Sequence, residues 1–191
     1  MASDSLSHSR PNRLLVLIPA LLFLAAAGLV IASHKIPHRV AYDQLLYHQA
    51  AIETFARQWP NSDLTDYLSA TTPGFHLMQA GAWRLLGWGV VGAQVLNAAI
   101  TCVLLLVLGW VVSHVRERSA FVLVLPFAAS IYVFASGAWV LPDNAAWLGV
   151  LVMVLVALSP RIDVRALAFG GMVLAVLTCT RQIHFWTAGL L

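Results

Sequence analysis

The chain has 191 residues, 60% of them hydrophobic and only 10% charged, with a mean hydropathy of +0.82 and a formal net charge of +3. Soluble domains are roughly a quarter charged and about half apolar, so this composition excludes an ordinary soluble fold. It implies an all-α integral membrane protein with several spans, each needing about 20 apolar residues.

The positive excess does not point to nucleic acid, because no basic run exceeds Arg116-Glu117-Arg118. It reports membrane orientation instead. Residues 1–13 read as a cytoplasmic tail carrying Arg10 and Arg13. The first apolar run, Leu14 to Ser33, is longer than the roughly 7–15 residues of a signal-peptide core and is expected to be an uncleaved anchor. Residues 34–88 form one long non-spanning segment. Within 90–191 follow four more candidate spans, Val90–Ser113, Phe121–Leu141, Ala145–Ser159 and Ala166–Thr180, for about five in total. Their connectors are short. Two of them carry arginines, Arg116 and Arg118 in one and Arg161 and Arg165 in the other, whereas Pro142-Asp143-Asn144 carries none. Short basic loops stay inside, which places residues 34–88, Asp143 and Arg181 on the extracytoplasmic side. Cys102 and Cys179 both lie in apolar runs and read as buried filler rather than a disulfide or metal site.

The long outer segment holds two amphipathic stretches. In Tyr42 to Trp59, Leu45, Ile52, Phe55, Ala56 and Trp59 share a helical stripe, while Asp43 and Tyr47 share another face. Pro60-Asn61 stops this helix. A polar run then leads to Thr71-Thr72-Pro73-Gly74. Here Thr72 is expected to cap a helix that begins at Pro73, runs to Leu86 and ends at Gly87. Trp83 and Trp88 suit the headgroup level, so this helix is expected to be interfacial. Gln94, Asn97 and Thr101 form a polar stripe at the start of the next span. It serves either helix–helix hydrogen bonding or the wall of a site.

The ionisable groups collect on one side: Asp43, Asp66, Asp143, Arg181, His48, His76 and His184. A carboxylate near an apolar boundary suits a general base, and an arginine fork neutralises a phosphate. Together they point to chemistry on a lipid phosphate. Each residue also has a plainer role open to it. Asp43 and Asp143 sit where they can cap helices, Asp66 suits a turn, and Arg181 can snorkel to headgroups. With no His-Glu-x-x-His or tight histidine pair, no metal or cofactor is expected.

The order of these motifs resembles the multispan GT-C glycosyltransferases. The closest likeness is to the α-1,2-glucosyltransferases that use dolichyl-phosphate glucose to add the terminal glucose of the N-glycan precursor. Asp43-Gln44 with Tyr47-His48 resembles that family's Asp-Glu and Phe-His, spaced one residue longer and lacking the glutamate. Asp66 followed by Thr71-Thr72-Pro73-Gly74 resembles its Asp before Thr-Thr-Pro-Pro-Gly. Leu141-Pro142-Asp143 resembles Tyr-Thr-Asp, and Arg181-Gln182-Ile183-His184 with Trp186 resembles Arg-Gln-Thr-Asn with a nearby Trp. The likeness spans residues 40–186, and the chain reads as the N-terminal portion of a diverged, bacterial-type member.

The resemblance implies a polyprenyl-phosphate sugar donor, a lipid- or glycan-linked acceptor, and inverting transfer on the extracytoplasmic face. It implies Asp43 as the base, with Asp66 and His48 orienting acceptor or sugar. Thr71, Thr72, His76, Asp143 and Gln182 would line the substrate, and Arg181 would hold the lipid phosphate. The competing expectations are a non-catalytic multispan protein, such as a transporter or assembly subunit, and an inactive remnant. Transporters place ionisable groups near the middle of their spans. The five candidate spans hold no Asp, Glu, Lys or Arg, which favours surface chemistry.

Overall fold

Leu, Ala and Val supply most of the apolar runs, and in such runs the helix satisfies each backbone N–H and C=O internally. The computed structural model of the protein describes residues 13–35, 42–67, 69, 71–115 and 120–191, and its regular structure is entirely helical. Helix α1 spans Arg13–Ala32. A π-helical turn, Gln44–His48, runs directly into α2, Gln49–Gln58. Then come α3 (Gly74–Leu86), α4 (Gly89–Val115), α5 (Ala120–Ala129), α6 (Ile131–Ala138), α7 (Asp143–Ala157) and α8 (Val164–Thr180). A 3-10 segment, Gln182–Leu190, closes the chain.

Helix α4 is the axis of the fold. Its 27 residues extend about 40 Å, and α1, α3, α5, α6 and α7 all pack against it. Among the described residues α4 alone is long and apolar enough to cross a membrane. Helices α5 and α6 pass the same test only as a pair bent by 65°, and the apolar helices Val16–Ala32, Asp143–Ala157 and Val164–Thr180 are shorter. The N-terminal tail with Arg10, and Arg39, Arg116 and Arg118, lie outside the described residues.

The stretch expected as one helix, Phe121–Leu141, is broken at Ser130, whose backbone turns extended (φ −58°, ψ 135°). Beyond that break, the C-terminal end of α6 leaves helix-end carbonyls in need of donors. Residues on neighbouring helices supply them. Asn97 Nδ2 on α4 lies within hydrogen-bonding distance of the carbonyls of Ser136, Trp139 and Leu141. Asn144 Nδ2 on α7 donates to the Val133 carbonyl and to Thr101 Oγ1, both at 2.8 Å. The polar stripe of α4 is therefore interhelical at Asn97 and Thr101 and anchors α6 and the corner that follows it.

The interior is assembled largely from small residues. Ala20, Ala27, Ala98, Ala128 and Ala138 are buried where α1, α4, α5 and α6 meet around Phe23, Leu105 and Trp139. A second cluster joins Ile52, Phe55 and Ala56 of α2 to Phe75 and Ala80 of α3, with Ala93 and Val140. The expected α2 stripe holds from Ile52 to Ala56. Before that the π turn shifts the phase, so Gln44 and His48 turn inward while Leu45 is half-buried. Trp59 is exposed, and Cys179 is exposed rather than buried filler.

Gly87 ends α3 as expected, in the left-handed conformation (φ 66°) with its N–H on the Trp83 carbonyl. The start of α3 differs from expectation. Pro73 takes the cap position, and the Thr72 hydroxyl turns away to a partner on α8. Asp43 and Asp143 make no side-chain caps either, whereas Asp163 does cap α8, accepting from the Ala166 N–H at 2.8 Å.

Asn97→Leu removes an amide whose two N–H groups serve the carbonyls at the end of α6 and just beyond it. The expected outcome is a loss of about 1–3 kcal/mol, measured as a lower thermal unfolding midpoint of the detergent-solubilised protein.

Candidate functional site

The site begins with a close approach of backbone to backbone. Gly74 opens α3 directly against the last turn of α8, where a Cβ at position 74 would overlap the carbonyl of Cys179. Only glycine allows that contact. Thr72 fixes the same junction from the other side. Its hydroxyl donates to the Thr178 carbonyl at 2.7 Å, and its N–H donates to Gln182 Oε1 at 3.0 Å. Thr72 and Gln182 thus join the loop before α3 to the end of α8, immediately beside Arg181.

Arg181 leaves α8 with an extended backbone, and its Nη1 forms an ion pair with Asp143 Oδ1 at the start of α7. Asp143 Oδ2 also accepts from Ser136 Oγ at 3.3 Å. The two charged side chains retain 34% and 33% exposure, so water screens their attraction and the pair adds little stability. Both residues line a cavity of about 450 Å³. The size falls within the range of ligand pockets.

Separate stretches of chain form the cavity wall. Asp43, Tyr47 and His48 come from the π turn and its flank, Ser69 and Thr71 from the loop, Leu141, Pro142 and Asp143 from the α6–α7 connection, and Arg181 from the end of α8. In an α-helix, residues five apart point in different directions. The i→i+5 turn at Gln44–His48 brings Asp43 and His48 to the same wall. The one-residue-longer spacing noted in the sequence falls within this turn. Gln44, which stands where the resembled family has glutamate, is buried and structural, its Oε1 accepting from the Val140 N–H at 2.9 Å.

Behind the wall lies a buried histidine pair. His48 Nδ1 and His76 Nε2 are 2.7 Å apart, and His76 Nδ1 is 2.5 Å from the Tyr67 hydroxyl. Burial drives both imidazoles toward the neutral form. The pKa of His48 is pushed down to about 4 by burial, with Asp43 raising it and Arg181 lowering it. That of His76 is pushed down to about 3, by burial first and then by His48. His184 is also lowered, by burial and by Arg181.

Of the residues singled out from sequence, the cavity gathers Asp43, His48, Thr71, Asp143 and Arg181. His76 stands behind them, fully buried, and Thr72 and Gln182 act as ties outside the wall. Asp66 is exposed and faces a neighbouring cavity of about 290 Å³, which shares Tyr47 and Ser69 with the first. The turn role considered for Asp66 belongs to Asp63, whose Oδ1 accepts from the Thr65 N–H and hydroxyl. Tyr67, Ser69 and Tyr47 were not singled out as site residues. Tyr47 carried a signal, since it lies four residues from Asp43 on one face. Among the described residues no cluster of His, Cys, Asp and Glu is arranged to hold a metal ion.

Compared with known families, curated proteins and solved structures, the chain matches no family model, no curated protein and no solved structure.

The histidine pair predicts acid sensitivity. Unfolded imidazoles take up protons near pH 6.5, while the buried rings resist until about pH 4 and below. Between those values the unfolded state binds more protons, so stability falls as pH drops. His184 acts in the same direction, and Asp63, held below its ordinary value by Thr65, contributes only at lower pH. The thermal midpoint is expected to fall steadily from pH 7 to pH 4.5, and His48→Gln with His76→Gln is expected to flatten that slope.

Proposed function

We propose that the chain is a multispan membrane glycosyltransferase, or the N-terminal part of one. In this reading it moves a hexose from a polyprenyl-phosphate donor to an acceptor hydroxyl on the extracytoplasmic face. The observation that carries the reading is the meeting of Asp43, His48, Thr71, Asp143 and Arg181 around one cavity, at the end of an apolar helical bundle. The membrane part of the reading is supported by what the helices leave outside. Leu21, Leu22, Leu29, Val103, Trp110, Val122, Leu123, Met172 and Val176 are exposed, and only 33% of the most apolar window of α4 is buried. Water tolerates large contiguous apolar surfaces poorly, and alanine-lined helix contacts are typical of packing in lipid. The spans would be α1, α4, the bent pair α5–α6, α7 and α8. Arg161 and Arg165 lie exposed at the far end of α7 and α8 from the cavity, as cytoplasmic loop residues would.

The chemistry follows from the charges. The acceptor oxygen attacks the anomeric carbon while the bond from that carbon to the phosphate oxygen breaks, and the phosphate leaves with the electron pair. Arg181 neutralises the departing phosphate, and Asp143 aims the guanidinium. Asp43, exposed on the cavity wall, takes the hydroxyl proton. His48 and Thr71 orient the sugar or acceptor, and Asp66 does so from the adjoining cavity. An inverting displacement needs one base and a stabilised leaving group, roles that this reading gives to Asp43 and Arg181.

The test is transfer from polyprenyl-phosphate glucose and mannose in membranes containing the folded chain. Asp43→Asn is expected to cut turnover about 100-fold or more with the donor KM little changed. Arg181→Ala is expected to weaken donor binding as well. Undiminished transfer by Asp43→Asn removes Asp43 as the base, and a folded wild type that transfers neither sugar overturns the transferase reading. Orientation is read separately. In a cysteine-free background, Asn61→Cys is expected to react with a membrane-impermeant maleimide in intact cells, and Arg161→Cys is not.

A further inference from the structure

Two cavities lie side by side in this molecule, and one hydrogen-bonded chain runs between them. His48 lines the first cavity and Tyr67 the second. Between them stands His76, fully buried, with Nε2 2.7 Å from His48 Nδ1 and Nδ1 2.5 Å from the Tyr67 hydroxyl. Both ring nitrogens of His76 are thus engaged. Nε2 of His48 has no partner among the described residues and is not among the sealed polar atoms. We infer that His48, His76 and Tyr67 form a proton relay that carries the acceptor's proton from the first cavity into the second. This rests on the transferase reading above.

The chain has two neutral arrangements. In the receptive one, His48 Nδ1–H donates to His76 Nε2 and His76 Nδ1–H donates to the Tyr67 oxygen. Tyr67 then points its own hydrogen into the second cavity, and His48 Nε2 is bare. In the discharged one every donor and acceptor is exchanged, and His48 carries its proton on Nε2.

A single proton converts the first arrangement into the second. Asp43 takes the proton from the acceptor hydroxyl and passes it, through water in the first cavity they both line, to His48 Nε2. His48 Nδ1 releases its proton to His76 Nε2, His76 Nδ1 releases its proton to the Tyr67 oxygen, and Tyr67 releases its hydroxyl proton to water in the second cavity. One proton enters, one leaves, and neither ring holds a positive charge at the end. Burial disfavours an imidazolium here, yet leaves such an exchange of tautomers open. Bound donor and acceptor would stand between Asp43 and bulk water, and the relay gives its proton another way out. The relay returns to its receptive form when products depart: water re-entering the first cavity takes the proton from His48 Nε2, the shared protons shift back along the chain, and Tyr67 takes up one proton from water in the second cavity.

Tyr67→Phe breaks the relay at its outer end and keeps the ring that stacks on Phe55. Without a hydroxyl, His76 Nδ1–H has no acceptor, so both histidines are expected to hold their protons on Nε2. Long-range proton–nitrogen spectra of the full chain in nanodiscs, with labelled histidine, read this directly. The wild type is expected to show both tautomers at His48 and His76, and Tyr67→Phe only the Nε2–H form. With polyprenyl-phosphate glucose as donor, Tyr67→Phe is expected to lower kcat by about 10- to 100-fold and leave the donor KM unchanged. A wild type with one fixed tautomer at each ring, or a Tyr67→Phe protein with kcat within about twofold of wild type, overturns the relay. The spectra need no turnover. A folded wild type that transfers nothing therefore overturns the transferase reading, and the tautomers alone then decide whether proton exchange between the cavities stands.

Discussion

The cavity depends on the close contact between the first residue of α3 and the last turn of α8. Gly74 lies so near the Cys179 carbonyl that no side chain fits, and Thr72 binds both Thr178 and Gln182 across the same seam. More than a hundred residues of sequence separate the two strands of that seam. Once it is closed, Arg181 emerges beside the loop that carries Ser69 and Thr71. Asp143 completes the wall from α7 by pairing with the same guanidinium. Because that ion pair is one-third exposed, its worth lies in direction rather than in stability. Rigidity comes instead from the backbone contact, which has few ways to rearrange.

A second constraint is set deeper in the bundle. Helix α6 is short and sharply turned against α5, and it leads into the Pro142-Asp143 corner of the cavity wall. The end of α6 would be costly among apolar side chains without donors for its carbonyls. Asn97 and Asn144 bring those donors from α4 and α7, with Thr101 linking them. Polar side chains inside the bundle therefore shape the backbone that holds the site, while the ionisable ones gather at its rim.

Much of this was legible in the sequence, because helix-forming apolar runs and punctuating residues are local signals. The extents of α4, α7 and α8 lie within a few residues of the apolar runs that announce them, and Gly87 ends α3 where expected. What was not legible depends on partners distant in sequence. Ser130 gives no local warning of a break, and the donors to the carbonyls at the end of α6 sit on other helices. Thr72 has the form of an N-cap, yet the Thr178 carbonyl, in place only once α8 has packed, takes its hydroxyl. The grouping of Asp43, Asp143 and Arg181 at one end was readable from loop charges. Tyr67 was hidden because its role comes from a buried histidine, and nothing in the local pattern couples it to His76.

The π turn at Gln44–His48 has a consequence for how this segment tolerates change in length. A straight helix ties every residue to one rotational phase, so the face that packs and the face that meets the cavity cannot be adjusted separately. Here the wide turn works as a slipped tooth in a gear. Downstream, Ile52, Phe55 and Ala56 stay meshed with α3, while upstream Asp43 keeps its own bearing. Loss of a single residue within the turn would restore even winding and rotate one side against the other by about 100°. The defect is therefore a one-residue adjuster, through which insertion or deletion can re-aim a carboxylate while Ile52, Phe55 and Ala56 keep their packing.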